Sequence, residues 1–149
     1  MPELPEEIAA AVAAALAPAG QRLTRHRRAV LGVLATADQP LPADEVAARS
    51  GVPQSTAYRH LAELVDVGVV ARVGGVDRVE RHELSERFSD RHHHHLVCTS
   101  CGSVTDFDAS PALERLIDRE LSAVMAASGF TAAGHVFDVR GVCGTCRSA

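Results

Sequence analysis

Two cysteine pairs, Cys98-x-x-Cys101 and Cys143-x-x-Cys146, carry the clearest chemistry in the sequence. Two thiolates two residues apart at a turn can occupy adjacent corners of a tetrahedron. Two such pairs complete the coordination of zinc and leave no position open for water or substrate, which makes the expected role structural. Each pair is joined by turn residues and both have the same spacing, so a four-cysteine zinc site fits better than paired redox motifs or scattered buried thiols. Disulfides are less expected in a chain with no readable export signal.

Directly before the first pair stands His92-His93-His94-His95. If this run is extended, its side chains alternate, with His92 and His94 on one face and His93 and His95 on the other. One tetrapeptide can then serve two separate ions. Neutral imidazoles suit zinc, nickel, iron(II) and copper, and carboxylates complete such shells. Asp106, Glu114 and His135 lie in the same half of the chain. Each also has an ordinary explanation: Glu114 falls in the first turn of an expected helix, where the dipole favours an acid, and His135 can be a plain strand residue.

The elements that must position these groups follow from periodicity. Pro5, Glu6 and Glu7 suit a helix start, with Ile8, Val12 and Leu16 on one stripe before Pro18-Ala19-Gly20. Thr24 offers an N-cap to a helix buried through Val30, Leu31 and Leu34. A short helix is expected from about Ala43 to Arg49, stopping at Ser50-Gly51. A longer one runs from Pro53 through Leu61, Leu64 and Val65 to about Asp66, closed by Gly68. Val69–Val73, a Gly74-Gly75 turn and Arg78–Leu84 read as a hairpin. This is the order of a winged helix-turn-helix. Ser85–Arg91 lacks periodicity and is the expected linker. Beyond it, Leu96–Cys98 and Val104–Phe107 suggest a second hairpin. Ser110-Pro111 starts a helix to about Ser128 with Leu113, Leu116, Ile117, Leu121 and Val124 as its buried face, and His135–Arg140 forms a last strand. The expected fold class is α+β: a winged helix over 1–84, a hinge linker over 85–91, and a small α/β domain over 92–149.

In a winged helix the helix after Pro53 enters the major groove, so Ser55, Thr56, Tyr58 and Arg59 in its first turns are the candidates for reading DNA. Tyr58 has core packing as its alternative. Arg22, Arg25, Arg27 and Arg28 form a second basic cluster suited to holding the phosphate backbone.

The formal charge of −4 argues against a generally basic nucleic-acid binder, but its distribution does not. Residues 20–81 carry nine Arg against seven acids, while both flanks are acidic. There is no apolar run of about 18 residues, and the apolar stretch Ile8–Leu16 follows acids, so neither a membrane span nor a signal peptide is expected; the chain reads as cytoplasmic. A zinc hydrolase would use similar ligands, but no His-Glu-x-x-His, nucleophile elbow or phosphate loop occurs, and the helix-turn-helix would be unexplained. An enzyme and a small organic substrate are therefore not expected.

Four stretches together resemble the ferric uptake regulator family, over about residues 12–147: Ala19–Arg27 (AGQRLTRHR), Ser55–Leu61 (STAYRHL), His92–Gly102 (HHHHLVCTSCG), and His135 followed by Cys143-Gly144-Thr145-Cys146. The resemblance implies a homodimer, joined through the domain at 92–149, whose paired winged helices bind a palindromic double-stranded DNA operator when a regulatory metal is bound. It implies one sensor site on His92, His94, Glu114 and His135. A second, at the hinge, draws on His93, His95, on His82 or Glu83 at the end of the wing, and on Asp106. Tyr58 resembles the base-contacting position.

Iron-type members usually place a histidine where this chain has Pro40-Leu41-Pro42, and an Asp at the position of His94. Four consecutive histidines look more like zinc uptake regulators, although the cysteine ligand that some of these carry after the wing is absent. The expected regulatory ion is zinc first, with iron(II), nickel and manganese as alternatives. A peroxide-sensing member of the family, or a metal storage or delivery protein without operator affinity, are the other readings.

Overall fold

Pro5 lacks the amide that a helix interior needs but suits a helix boundary, and in the computed structural model, which describes residues 2–74 and 76–149, α1 (Glu6–Leu16) begins directly after it. Its buried stripe is Ala9, Val12 and Leu16, while Ile8 is half-buried. Gly20, at φ 67°, ends the following 3-10 turn (Ala17–Ala19). The Thr24 hydroxyl accepts from the Arg27 amide and caps α2 (Arg25–Ala35). This helix buries Val30, Leu31, Val33 and Leu34. After β1 (Leu41–Pro42) come α3 (Ala43–Ser50), stopped by left-handed Gly51, and α4 (Gln54–Asp66).

The wing consists of β2 (Val70–Gly74) and β3 (Glu80–Leu84), antiparallel, in a sheet of order β1-β3-β2. The sequence-expected turn falls on Gly74 and Gly75, and Gly75 lies outside the described residues. Leu16, Val30, Leu31, Val46, Leu61, Leu64 and Val69 form the centre of one apolar core, each almost fully buried. Truncating any of these leucines to Ala would cost about 2–5 kcal/mol.

Arg27 departs from its expected place in an open basic cluster. It shares the buried face of α2 with Val30, Leu31 and Leu34, and its guanidinium donates to Glu63 Oε2 on α4 (2.7 Å) and to the Arg22 carbonyl (2.9 Å). The His60 ring nitrogen meets the same Glu63 oxygen at 3.2 Å. The Arg27–Glu63 pair ties α4 to α2, and His60 holds the Glu63 carboxylate from within α4.

The expected linker is not structureless. Glu86–Phe88 makes a 3-10 turn, and Phe88 is buried in the core of the N-terminal half, against α1.

The second sheet has order β5-β4-β6, built from β4 (His94–Cys98), β5 (Val104–Phe107) and β6 (Asp138–Gly141). β4 pairs antiparallel with β5 and parallel with β6. The last expected strand therefore starts later than His135. Between β5 and β6 runs α5 (Pro111–Ser128), capped by Ser110, whose hydroxyl accepts from the Leu113 amide. A short α6 (Gly144–Arg147) follows β6.

The apolar face expected to be buried on α5 is open in the single chain: Leu113 is 38%, Leu116 45% and Val124 61% exposed. The two halves meet where Val73 of β2 packs with Val97 of β4 and Val104 of β5.

Candidate metal centres

Strand pairing brings the cysteines together. Cys98 ends β4 beside Gly141 of β6, so the turn after β4 and the N-terminus of α6 converge. The four Sγ atoms lie within 4.8 Å of one another, and none is in a disulfide. Amides of Cys101 (3.5 Å) and Cys143 (3.3 Å) point at Cys98 Sγ and hold its thiol down at about 6. The Ser100 hydroxyl favours the Cys146 thiolate, but the crowded sulfurs of Cys143, Cys101 and Cys98 prevail and push that thiol up to about 12. Such a cluster cannot carry four negative charges without a cation, and four thiolates at this separation fit zinc.

Alternation along the histidine run separates its side chains into two clusters, as the extended reading expects. His92 stands just before β4 and His94 begins it; with His135 and Glu114 they form an outer cluster whose ligand atoms lie within 4.8 Å of one another. Three Nε2 atoms converge on the Glu114 carboxylate, at 2.8 Å from His94, 3.0 Å from His135 and 3.3 Å from His92. The hydrogen bond from His94, opposed by burial and helped by His135, keeps Glu114 below the usual carboxylate range. Fully buried His94 is stacked on Phe137 with ring centroids 3.9 Å apart.

The hinge cluster joins both halves of the chain. Glu83 comes from β3 of the wing, His93 and His95 from the run, and Asp106 from β5 opposite His95. Glu83 Oε2 is 3.0 Å from His93 Nε2 and 3.2 Å from His95 Nε2, and Asp106 oxygens lie at 3.7 and 3.8 Å from the same nitrogens. Burial opposes the charge on His95, but the Glu83 carboxylate, then Asp138 and Asp106, outweigh it and raise its pKa to about 9. Burial raises Asp106. Asp106 Oδ1 is buried without a hydrogen-bond partner, as a carboxylate built to ligate would be. Two imidazoles and two carboxylates fit a divalent ion of the zinc, iron(II), nickel or manganese group.

His82, the alternative to Glu83, is not brought into the hinge cluster. Neighbours on a strand point to opposite faces, so with Glu83 turned to the hinge, His82 faces into the winged helix. There it is buried and lines a cleft of about 340 Å³ with Tyr58, Leu61 and Arg72. Two residues missed at the sequence level touch the clusters: Glu86, from the 3-10 turn, contacts His92 Nδ1, and Asp138 meets His95 Nδ1 at 3.0 Å. Neither sits in a ligand-like motif; only the β4–β6 register exposes the second.

Among the DNA candidates, Arg22, Ser55, Tyr58 and Arg59 are exposed and Thr56 is half-buried. Tyr58, at 49% exposure, is therefore not a core residue.

A winged helix-turn-helix followed by a small sheet domain, with a sulfur cluster and two histidine–carboxylate clusters, defines the class of metal-responsive transcription regulators. The model of the ferric uptake regulator family matches residues 18–139, and the chain belongs to that family. The peroxide-responsive repressor PerR of Staphylococcus aureus is 30% identical over 150 residues, covering 97% of this chain and 92% of that protein. The ferric uptake regulation protein of Campylobacter jejuni is 28% identical over 94 residues, 63% of this chain; that match spans only 55% of the Campylobacter protein. The structure of the Helicobacter pylori ferric uptake regulator, described as having three functional metal binding sites, shares the fold with a TM-score of 0.72 at 20% identity, covering 100% and 99% of the two chains.

Proposed function

We propose that this chain is a metal-dependent transcriptional repressor in the cytoplasm that binds a palindromic operator as a homodimer when its regulatory ion, zinc first, is bound. The observation that carries this reading is the hinge cluster, which draws Glu83 from the wing and His93, His95 and Asp106 from the other half into one shell. Cys98, Cys101, Cys143 and Cys146 would hold a structural zinc. His92, His94, Glu114 and His135 would form one regulatory centre and Glu83, His93, His95 and Asp106 the second. The ion supplies a point of attraction for all four ligands of a shell.

The chain's own residues then set the geometry. Glu83 is drawn toward His93 and His95, and β3 fixes the angle of the winged helix through it. Matching two such domains to successive half-sites turns a mostly open population into a mostly closed one, which needs about 5.5 kcal/mol of differential affinity. Ser55, Thr56, Tyr58 and Arg59 would then face the major groove, and Arg22 a phosphate. The open apolar face of α5 supports a second copy of the chain as its cover.

The test is DNA binding by protein that retains zinc on its cysteines, titrated separately with buffered zinc, iron(II), nickel and manganese. The His93→Ala/His95→Ala double variant should lose metal-dependent binding and keep its fold; undiminished binding would sink the reading. The PerR relative, matching nearly the whole chain, favours a second reading in which the hinge centre takes iron(II) and senses peroxide. Gain of oxygen at His93 or His95 by mass spectrometry after peroxide treatment of the iron-loaded protein would select it.

A further inference from the structure

The two hinge histidines are held in different ways. His93 Nδ1 faces a neutral acceptor, the Arg91 carbonyl, at 3.4 Å, whereas His95 Nδ1 lies 3.0 Å from Asp138 Oδ1. His95 and Asp138 are register partners across the parallel β4–β6 pair, so the contact is built into the sheet. The His95 amide also donates to the Phe137 carbonyl at 3.1 Å, which pins the backbone on the same side.

We propose that Asp138 is a positioning residue of the hinge centre: it takes the Nδ1–H of His95, fixes the tautomer that presents a bare Nε2 toward Glu83 and Asp106, and raises the affinity of that centre for a divalent cation. This rests on the hinge cluster being a metal centre. An imidazole that ligates through one nitrogen must carry its proton on the other, and a carboxylate acceptor both orients the ring and makes the ligating nitrogen more basic. Asp138 does this from outside the ligand shell, since its nearest contact is with the far side of the ring. Its side chain is 34% exposed, so truncation opens no void in a core. The strand pairing uses backbone groups and survives the substitution.

The test uses the full chain in an H92A/H135A background, which leaves the hinge as the one histidine centre to titrate, with Co²⁺ as the probe and a competing chelator to set the free concentration. D138A should weaken Co²⁺ binding about 10- to 100-fold. D138N, whose amide oxygen still accepts the Nδ1–H, should recover part of that loss. Zinc content of the cysteine cluster should not change. Co²⁺ affinity in D138A equal to that of the parent overturns the inference. So does a loss as large in D138N as in D138A, or one accompanied by release of the cysteine-bound zinc. A parent that takes up no Co²⁺, or that binds it as well with H95A added, instead removes the hinge centre itself, and the two failures are told apart by the parent titration.

Discussion

Asp77, in the wing, lies directly against Gly102, in the turn after the first cysteine pair: a Cβ on Gly102 would stand 2.4 Å from the Asp77 carboxyl carbon. The carboxylate is held there by Arg81, whose guanidinium donates to it at 2.8 Å and lowers its pKa to about 2. Gly102 also has φ 77°, a conformation that costs other residues about 1–2 kcal/mol. Gly102→Ala should therefore push the wing off the cysteine turn and loosen the turn itself. Faster proteolysis around residues 76–79 and faster zinc loss to a chromogenic chelator would both register it; unchanged rates would show that the contact holds nothing in place.

Denying the four cysteines their proposed zinc should have a larger effect. The second half of the chain buries few apolar side chains, chiefly Val97 and Val104, so Cys143→Ser or strong chelation should unfold it while the winged helix keeps its own core. Circular dichroism would then show loss of α5 and the second sheet with most helical signal retained. A Cys143→Ser protein with an unaltered melting profile would contradict the structural role.

The hinge histidine makes a statement about pH. In the metal-free protein the folded-state pKa of His95 is about 9, above its ordinary 6.5. The stability drawn from its pairing with Glu83 is thus fully present below pH 6.5 and is lost as pH rises through about 9. Melting temperature of the metal-free protein should fall across that window, and His95→Gln should flatten the fall. Metal uptake below pH 9 should release a proton in the wild type, measurable in two buffers of different ionisation enthalpy.

Val124 and Leu116 on α5 test the dimer. A charge placed in a buried apolar interface is costly, so Val124→Glu should weaken self-association by at least about tenfold. Light scattering behind size exclusion would show a shift toward monomer with unchanged helicity. A wild-type protein that is monomeric at all concentrations would leave the open face of α5 without its proposed cover.

Arg27→Ala should cost about 1–3 kcal/mol, because it removes charge-assisted hydrogen bonds to Glu63 and to the Arg22 carbonyl. Since the bond to Glu63 ties α4 to α2, operator affinity should drop more than it does on replacing the exposed Arg25.

Helix starts were legible because their signals are local: Thr24 and Ser110 cap where their hydroxyls can reach an amide three residues on, and Gly51 stops a helix where only a positive φ continues the chain. The cysteine and histidine clusters were legible because spacing and alternation are properties of the strand itself. Long-range facts were not. That Arg27 turns inward depends on Glu63, 36 residues away, and Asp138 matters only once β6 is laid beside β4. The open face of α5 has the same periodicity as a buried one, so nothing in its pattern separates a core within the chain from a surface between chains. The 3-10 turn at Glu86–Phe88 was hidden because one aromatic residue is too short a signal for an element.

One short strand borders all three candidate metal centres. His135 enters just ahead of β6, Asp138 opens it, and Cys143 leaves two residues after it, so a span of nine positions touches the outer, hinge and sulfur clusters in turn. Side chains on a strand alternate, and a single inserted or deleted residue there would reverse which side each one faces. The segment thus works as a ruler: its length cannot vary by one without misplacing residues of at least two of the three clusters at once.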